Sequence, residues 1–284
     1  MLERNLISLR KSDLVYEGVF KVVKAECKKQ HLNYFHSKII YVSLFIWPVL
    51  SFITSYYSFK PFKIINNKIP YLNEENIIIY LLLGYMTMSL FRSLVQSAWN
   101  FSFERISGTL ELIYLSPASR QAVILGNAIS SLLESVVVKV CFSIGVIMFK
   151  KEVLNINYLG LIVVLLITLI MAVLWGMLLN SLFLFSRDSG FLFTILEEPM
   201  EIFSRVKVPV VVFPIWAKAI SVVFPLTYAI EGVRKVILNG GSSIYLGNFI
   251  MIGLTIIIIE YIASVTIIKI VEKHSRKTGN FTYF

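Results

Sequence analysis

The chain contains no G-x-x-x-x-G-K-[ST] loop, so it has no P-loop cradle for the phosphates of ATP. It also lacks H-E-x-x-H and G-x-S-x-G, which removes the zinc-protease helix and the serine-hydrolase elbow. Three histidines, His31, His36 and His274, fall in flanks outside the apolar runs. No companion ligands stand near them, so no metal site is expected. The two cysteines, Cys27 and Cys141, lie in a basic flank and deep in an apolar run, which excludes a disulfide framework and leaves free thiols. The residues before Ile39 hold no apolar core followed by a small-residue cleavage site, so the first apolar run is itself expected to direct insertion. Charge is scarce too, at 15% of residues.

What remains is apolar. Hydrophobic residues make up 57% of 284 and the mean hydropathy is +0.75, which is the composition of a multi-spanning membrane protein. Runs of about 18 or more apolar residues are long enough to cross a hydrocarbon core of ~30 Å as helices. Ile39–Phe59, Ile77–Trp99, Ala122–Phe149, Tyr158–Phe185 and Asn248–Ile268 qualify, and a less regular sixth run begins at Phe191. The fold expected is an all-α integral membrane protein with six transmembrane helices. A net charge of +10 then reports orientation and anionic headgroups rather than nucleic acid. Eight Lys and Arg precede Ile39 and four more follow from Lys269 onward, which places both termini in the cytosol.

Residues 13–34 repeat Tyr16, Phe20, Val23 and Cys27 at helical spacing, with Lys21, Lys24 and Lys28 opposite. A basic amphipathic helix of this kind lies along the cytosolic membrane surface, its lysines toward headgroups or an acidic partner. Farther on, 204–241 carries Pro209, Pro214 and Pro225 with Lys207 and Lys218. Prolines remove backbone donors, and irregular backbone at membrane depth needs protein or water to satisfy it. The segment reads as a re-entrant or external helical hairpin between spans five and six, or as two further full spans. Either keeps an even count. Ile230–Gly241 reads as a short exit helix, with Glu231 four residues before Lys235.

Between the second and third runs stands FERISGTLELIYLSP, Phe103 to Pro117. Phe103, Ile106, Leu110 and Ile113 share one helical face, while Glu104, Gly108 and Glu111 share another. Thr109 is expected to cap a short helix over Leu110–Leu115, with Glu111 in its first turn, and Ser116-Pro117 to start the next helix. A short, rigid helix clamped between two spans suits the transmission of force to a partner.

These residues resemble the permease subunits of type-2 ABC exporters, whose second intracellular segment carries ER-x-x-GTLE-x-L-x-x-SP followed by Leu-Gly. Glu104-Arg105, Gly108-Thr109-Leu110-Glu111, Ser116-Pro117 and Leu125-Gly126 occupy those places. FPIWAKAISVVFPLTYAIEGVR, Phe213 to Arg234, is similar to the family's P-x-W segment and NPLTY-x-x-x-x-R, through Pro214, Trp216, Pro225, Leu226, Thr227, Tyr228 and Arg234. The chain departs from the family at Ser204-Arg205, where Ser-Gly is common, and at Glu197, Glu198 and Glu201, where apolar residues are usual.

The resemblance implies one ABC type-2 transmembrane domain over 1–284: a cytosolic N-terminus with a connecting helix (1–38), a six-span bundle (39–269) and a cytosolic tail (270–284). It implies a plasma-membrane permease that pairs with a second copy or a related paralogue. Each copy would dock on a cytosolic nucleotide-binding ATPase through the connecting helix and a coupling helix at Glu104, Arg105, Gly108, Thr109, Glu111, Ser116 and Pro117. ATP and Mg would be bound by that partner, with no cofactor in this chain. Membrane lipids are the other partners expected. Pro214, Trp216, Pro225, Tyr228 and Arg234 would shape the re-entrant segment. The cargo would be drug-like, peptide or lipid-like, with a polysaccharide or teichoic-acid exporter as the alternative.

Seven ionisable residues fall in apolar surroundings: Arg92, Glu134, Lys139, Glu197, Glu198, Glu201 and Glu260. Charges there cost about 2.5–3.5 kcal/mol on insertion scales, so they pair or face a cavity on a translocation path. Glu134 or Glu260 paired with Lys139 or Arg92 is the structural reading. The three clustered glutamates would attract a cationic or amphiphilic cargo, unless they pair with Arg205, Lys207 or Lys218. Two readings from other classes remain: an ion-coupled secondary transporter using Glu260 and Glu197 as proton carriers, which usually shows inverted repeats not seen here, and a membrane scaffold.

Overall fold

The computed structural model describes residues 18–35, 38–59, 76–116, 118–136, 139–140, 143–144, 157–185, 189–209, 212–239 and 243–278. All regular structure among them is helical. α1 covers 18–30 and ends in a π-turn, His31–Phe35. α2 is Lys38–Phe59, α3 Ile77–Ile106, α4 Thr109–Leu115 and α5 Arg120–Glu134. α6 is Tyr158–Phe185, α7 Ser189–Phe203, α8 Ile215–Val223, α9 Pro225–Asn239 and α10 Ser243–Thr278.

Three helices among the described residues are long and apolar enough to cross a membrane, within Ile77–Asn100, Tyr158–Phe183 and Tyr245–Ile270. They coincide with the second, fourth and last expected runs. The expected third span, Ala122–Phe149, lies partly outside the described residues, and α5 ends at Glu134. α7 contains Pro199 without being ended by it, and its 15 residues reach about 22 Å, short of a full crossing.

α6 is the hub. It packs against α10, α3, α5 and α9. Phe91, Leu94, Val95 and Ala98 of α3, Ala128 of α5, Met171, Ala172, Leu179 and Phe183 of α6, and Leu226, Ile230 and Val233 of α9 are all buried together. Between apolar helices in lipid, close packing and hydrogen bonds hold a bundle, because lipid tails are as apolar as leucine. Asn127 supplies such bonds, donating to Asn180 Oδ1 at 2.6 Å and to the Ser97 carbonyl at 3.2 Å, so α3, α5 and α6 share one buried clamp.

Four expectations change in detail. α3 continues beyond Trp99 to Ile106, since no helix breaker precedes Gly108, and Glu104 and Arg105 stand on its last turn. Gly108, not Thr109, takes the N-cap position of α4. Ser116 closes α4, its N–H donating to Ile113 and Leu112 carbonyls, while Ser119 precedes α5; Pro117 lies outside the described residues. Instead of a short exit helix from Ile230, one longer helix starts at Pro225, whose fixed φ suits a first helical position.

Candidate functional site

Three groups of charged and polar side chains are held inside the bundle. The first is at the α4 end. Glu104 is 5% exposed, and its carboxylate meets Lys29 Nζ of α1 at 3.0 Å. Lys29 also holds Glu26 at 2.8 Å, and Glu26 accepts from Gln30 Nε2 at 2.8 Å. The Thr109 hydroxyl sits 3.0 Å from the Glu104 carbonyl oxygen and against its carboxylate. That is why Thr109 is not the cap: a buried carboxylate needs donors, and this hydroxyl is one. Gly108 makes the turn between α3 and α4 at φ 72, the left-handed region that glycine enters without steric cost. α4 is thus tied to α3 and α1 while Leu112 (67% exposed) and Leu115 (83%) point away from the chain. The side chains of Arg105 and Glu111 lie outside the described residues.

The second group runs along α3 and α7. Arg92 of α3 and Glu197 of α7 form an ion pair at 2.5 Å. One turn on along α7, Glu201 pairs with Lys207 at 2.8 Å. Lys207 also bonds Tyr85, whose hydroxyl lies 2.6 Å from Ser55 Oγ of α2. Burial opposes the Lys207 charge, but the hydrogen bond and charge of Glu201, with Tyr85, outweigh it and hold the ammonium above the ordinary lysine range. Glu198 is exposed. Of the three clustered carboxylates, two therefore have cationic partners within the chain.

The third group braces the end remote from α4. Arg234 of α9 is buried and stacks on the Tyr80 ring, 3.4 Å from its centroid. It donates to the Tyr80 carbonyl from Nε and Nη2 at 3.2 and 2.9 Å, to Arg205 O at 2.6 Å and to Val206 O at 2.8 Å. Gly84 makes room: a Cβ there would stand 2.6 Å from both Arg234 Nη2 and Val206 O. Arg205 pairs with Glu231, which also pairs with Lys235 at 2.8 Å. Pro214 precedes α8, Trp216 is largely exposed with its ring 5.8 Å from Phe203, and Tyr228 OH donates to Val222 O at 3.3 Å.

The remaining candidates stand apart. Arg92 pairs with Glu197 on the α7 side of α3. Lys139 Nζ donates to the Leu132 carbonyl at 3.2 Å near the end of α5. The Glu134 side chain lies outside the described residues. Glu260 is buried on α10, and neither carboxylate oxygen has a hydrogen-bond partner among the described residues. Sequence reasoning missed Lys29, Tyr85 and Gly84 as site residues. Lys29 had a signal, three residues after Glu26, whereas Tyr85 and Gly84 are ordinary residues of an apolar run.

The described residues hold only helices as regular structure, three of them long and apolar enough to cross a membrane, with an ion pair tying one of these to α7, which is the build of an integral membrane protein. Residues 21–238 match the family described as ABC-2 type transporter, and the chain belongs to that family. It is therefore a permease component of an ABC transporter. Comparison with curated proteins gave no match.

Proposed function

We propose that this chain is the membrane-spanning permease subunit of an ATP-binding cassette exporter, moving a drug-like, peptide or lipid-like cargo out of the cytosol with ATP hydrolysed by a separate subunit. Family membership supports the permease role, and such permeases normally pair with ATPase subunits. One observation carries the coupling role: α4 is braced by Glu104, Lys29 and Thr109, yet presents Leu112 and Leu115 outward. An apolar tip on a rigid mount is what a docking groove on a partner receives. Two copies would form the path, as a homodimer or with a related paralogue. In the full arrangement α3, α6 and α10 are three of six spans, α8 and α9 form the re-entrant pair, and both termini are cytosolic in the plasma membrane.

The internal pairs at Glu197 and Glu201 reduce the negative field that a cationic cargo would use, so cargo charge is left open. Copurification is the test. The tagged chain should bring down a P-loop ATPase in equal amount, and the complex should hydrolyse ATP while the chain alone does not. Transport by the purified chain driven by a proton gradient without any ATPase would overturn the reading.

A further inference from the structure

Lys139 is a cation inside an apolar run, and its ammonium has three N–H donors to satisfy. α5 ends at Glu134, which puts the Leu132 carbonyl in the last turn, where carbonyls lack helical partners. That carbonyl accepts from Ser135 Oγ at 2.9 Å and from Lys139 Nζ at 3.2 Å. No carboxylate among the described residues pairs with the ammonium. Lys139 lines a groove of about 710 Å³ between α5 and α6, with Leu125, Leu133 and Val136 beside it and Ile170 and Val173 across. Every other residue lining it is apolar. Leu133 is 60% exposed and Ile170 48%, so the groove opens sideways, which at membrane depth means toward the bilayer. We propose that this groove receives a membrane-spanning helix of another polypeptide, one that carries a carboxylate near its middle to meet Lys139.

Depth decides the occupant. Val123 and Ile124 pack with Met177, Ala128 Cβ stands 3.2 Å from where a Gly176 Cβ would be, and Lys139 shares the groove with Leu169 and Ile170. α5 and α6 therefore run antiparallel. Leu169 and Ile170 are the middle of the membrane-length run Tyr158–Phe183, so the ammonium lies about 15 Å from headgroups on either side of a ~30 Å core. A lysine serving a headgroup extends toward the interface. This one turns back to a carbonyl seven residues earlier. Acyl chains would fill the apolar stretch but leave the charge unpaired, which is costly at that depth. A helix brings a carboxylate to the middle of a bilayer with its own backbone satisfied. From Leu125 to Lys139 the groove follows roughly four turns, or 21 Å, of α5, long enough to take one ridge of apolar side chains from such a helix. The argument uses the groove and its lysine alone and does not rest on the permease reading.

Photo-crosslinking of the full chain in phosphatidylcholine nanodiscs, with no other protein present, provides the test. The probe is a synthetic leucine–alanine peptide long enough to span, with a photoreactive leucine beside one central Glu; its control carries Gln there. Cross-links located by mass spectrometry should fall on 125–139 and 169–174 and should be several-fold more abundant with the Glu peptide. Lys139→Met should bring the Glu peptide down to the Gln level, and Lys139→Arg should retain most of the difference. Lys139→Glu should transfer the preference to a peptide with a central Lys, a rescue that a misfolded variant does not produce. Equal labelling by the Glu and Gln peptides, or a preference that survives Lys139→Met, would overturn the proposal. So would oleate that suppresses the label as fully as unlabelled Glu peptide does, which assigns the groove to a lipid anion. Labelling that appears only in Glu134→Gln would overturn it too, by giving Lys139 a carboxylate from its own chain. No ATPase enters any arm, so each of these outcomes leaves the permease reading standing.

Discussion

Arg92 and Glu197 join α3 to α7 through an ion pair at 2.5 Å, with the carboxylate side chain nearly buried and the guanidinium one-quarter exposed. The pair ties α3, the first membrane-length helix, to the Pro199-containing helix, and the Tyr85–Lys207–Glu201 chain ties them again farther along. Whatever moves between α3 and α7 must move against both links.

Breaking a buried pair from one side strands the other charge, at about 3–5 kcal/mol, more than removing both. Arg92→Glu or Glu197→Arg alone should therefore lower the thermal midpoint and transport sharply, while the double exchange recovers most of both. A double exchange no better than the singles would show that the two residues act separately.

The latch at Glu104 makes a different demand. Thr109→Val removes a hydroxyl from a buried carboxylate while keeping the side-chain shape, a loss of about 1–3 kcal/mol in an unsatisfied group. α4 should loosen on α3, so hydrogen exchange over 108–115 should rise and cargo-stimulated ATP turnover by the complex should fall several-fold. Thr109→Ser, which keeps the hydroxyl, should retain both. Loss of turnover in the serine variant as well would place the defect elsewhere.

Much of the helical layout was legible because the hydrocarbon core imposes a length, and the runs from Ile77, from Tyr158 and in α10 announce themselves by sustained apolarity despite Arg92 and Glu260. The short helix α4 was legible from its helical spacing, but its cap was expected at Thr109 and stands at Gly108, whose left-handed turn favours glycine. Partners were not legible. Glu104 reads as a charge turned outward, yet Lys29, 75 positions earlier, draws it inward. Pairing across such separations depends on helix rotation, and a single apolar run with little amphipathic contrast leaves rotation unspecified. The same reason hides Arg92 with Glu197 and Tyr85 with Lys207. Gly84 shows the limit from the other side, because its role is set by an arginine side chain 150 positions away.

Membrane orientation is testable without any partner. With Cys27 and Cys141 replaced by serine, a cysteine at Lys218 on exposed α8 should react with an impermeant maleimide added to intact cells. One at Ser275 on the last turns of α10 should react only after permeabilisation. Labelling of both from the same side would refute the expected six-span count.

Arg205 offers the sharpest test of the brace at the end remote from α4. Its φ is 67, the left-handed region, and it is the one non-glycine residue in that region among the described residues. Side chains with a Cβ pay roughly 1–2 kcal/mol there. The surroundings offset it: the guanidinium pairs with Glu231, and the Arg205 carbonyl accepts from Arg234 Nη1 at 2.6 Å. Backbone strain and side-chain pairing can be separated by two substitutions. Arg205→Ala keeps the strain and loses the pair, so stability should drop. Arg205→Gly loses the same pair but removes the strain, and should lie about 1–2 kcal/mol above the alanine variant in thermal or denaturant unfolding. Glycine also widens the unfolded ensemble by about 0.4–1 kcal/mol, so the observed gap should shrink to roughly 1 kcal/mol or a little less. An alanine variant at least as stable as the glycine variant would mean that the left-handed turn at Arg205 is not the resting geometry, and the Arg234 bond to its carbonyl would fall with it.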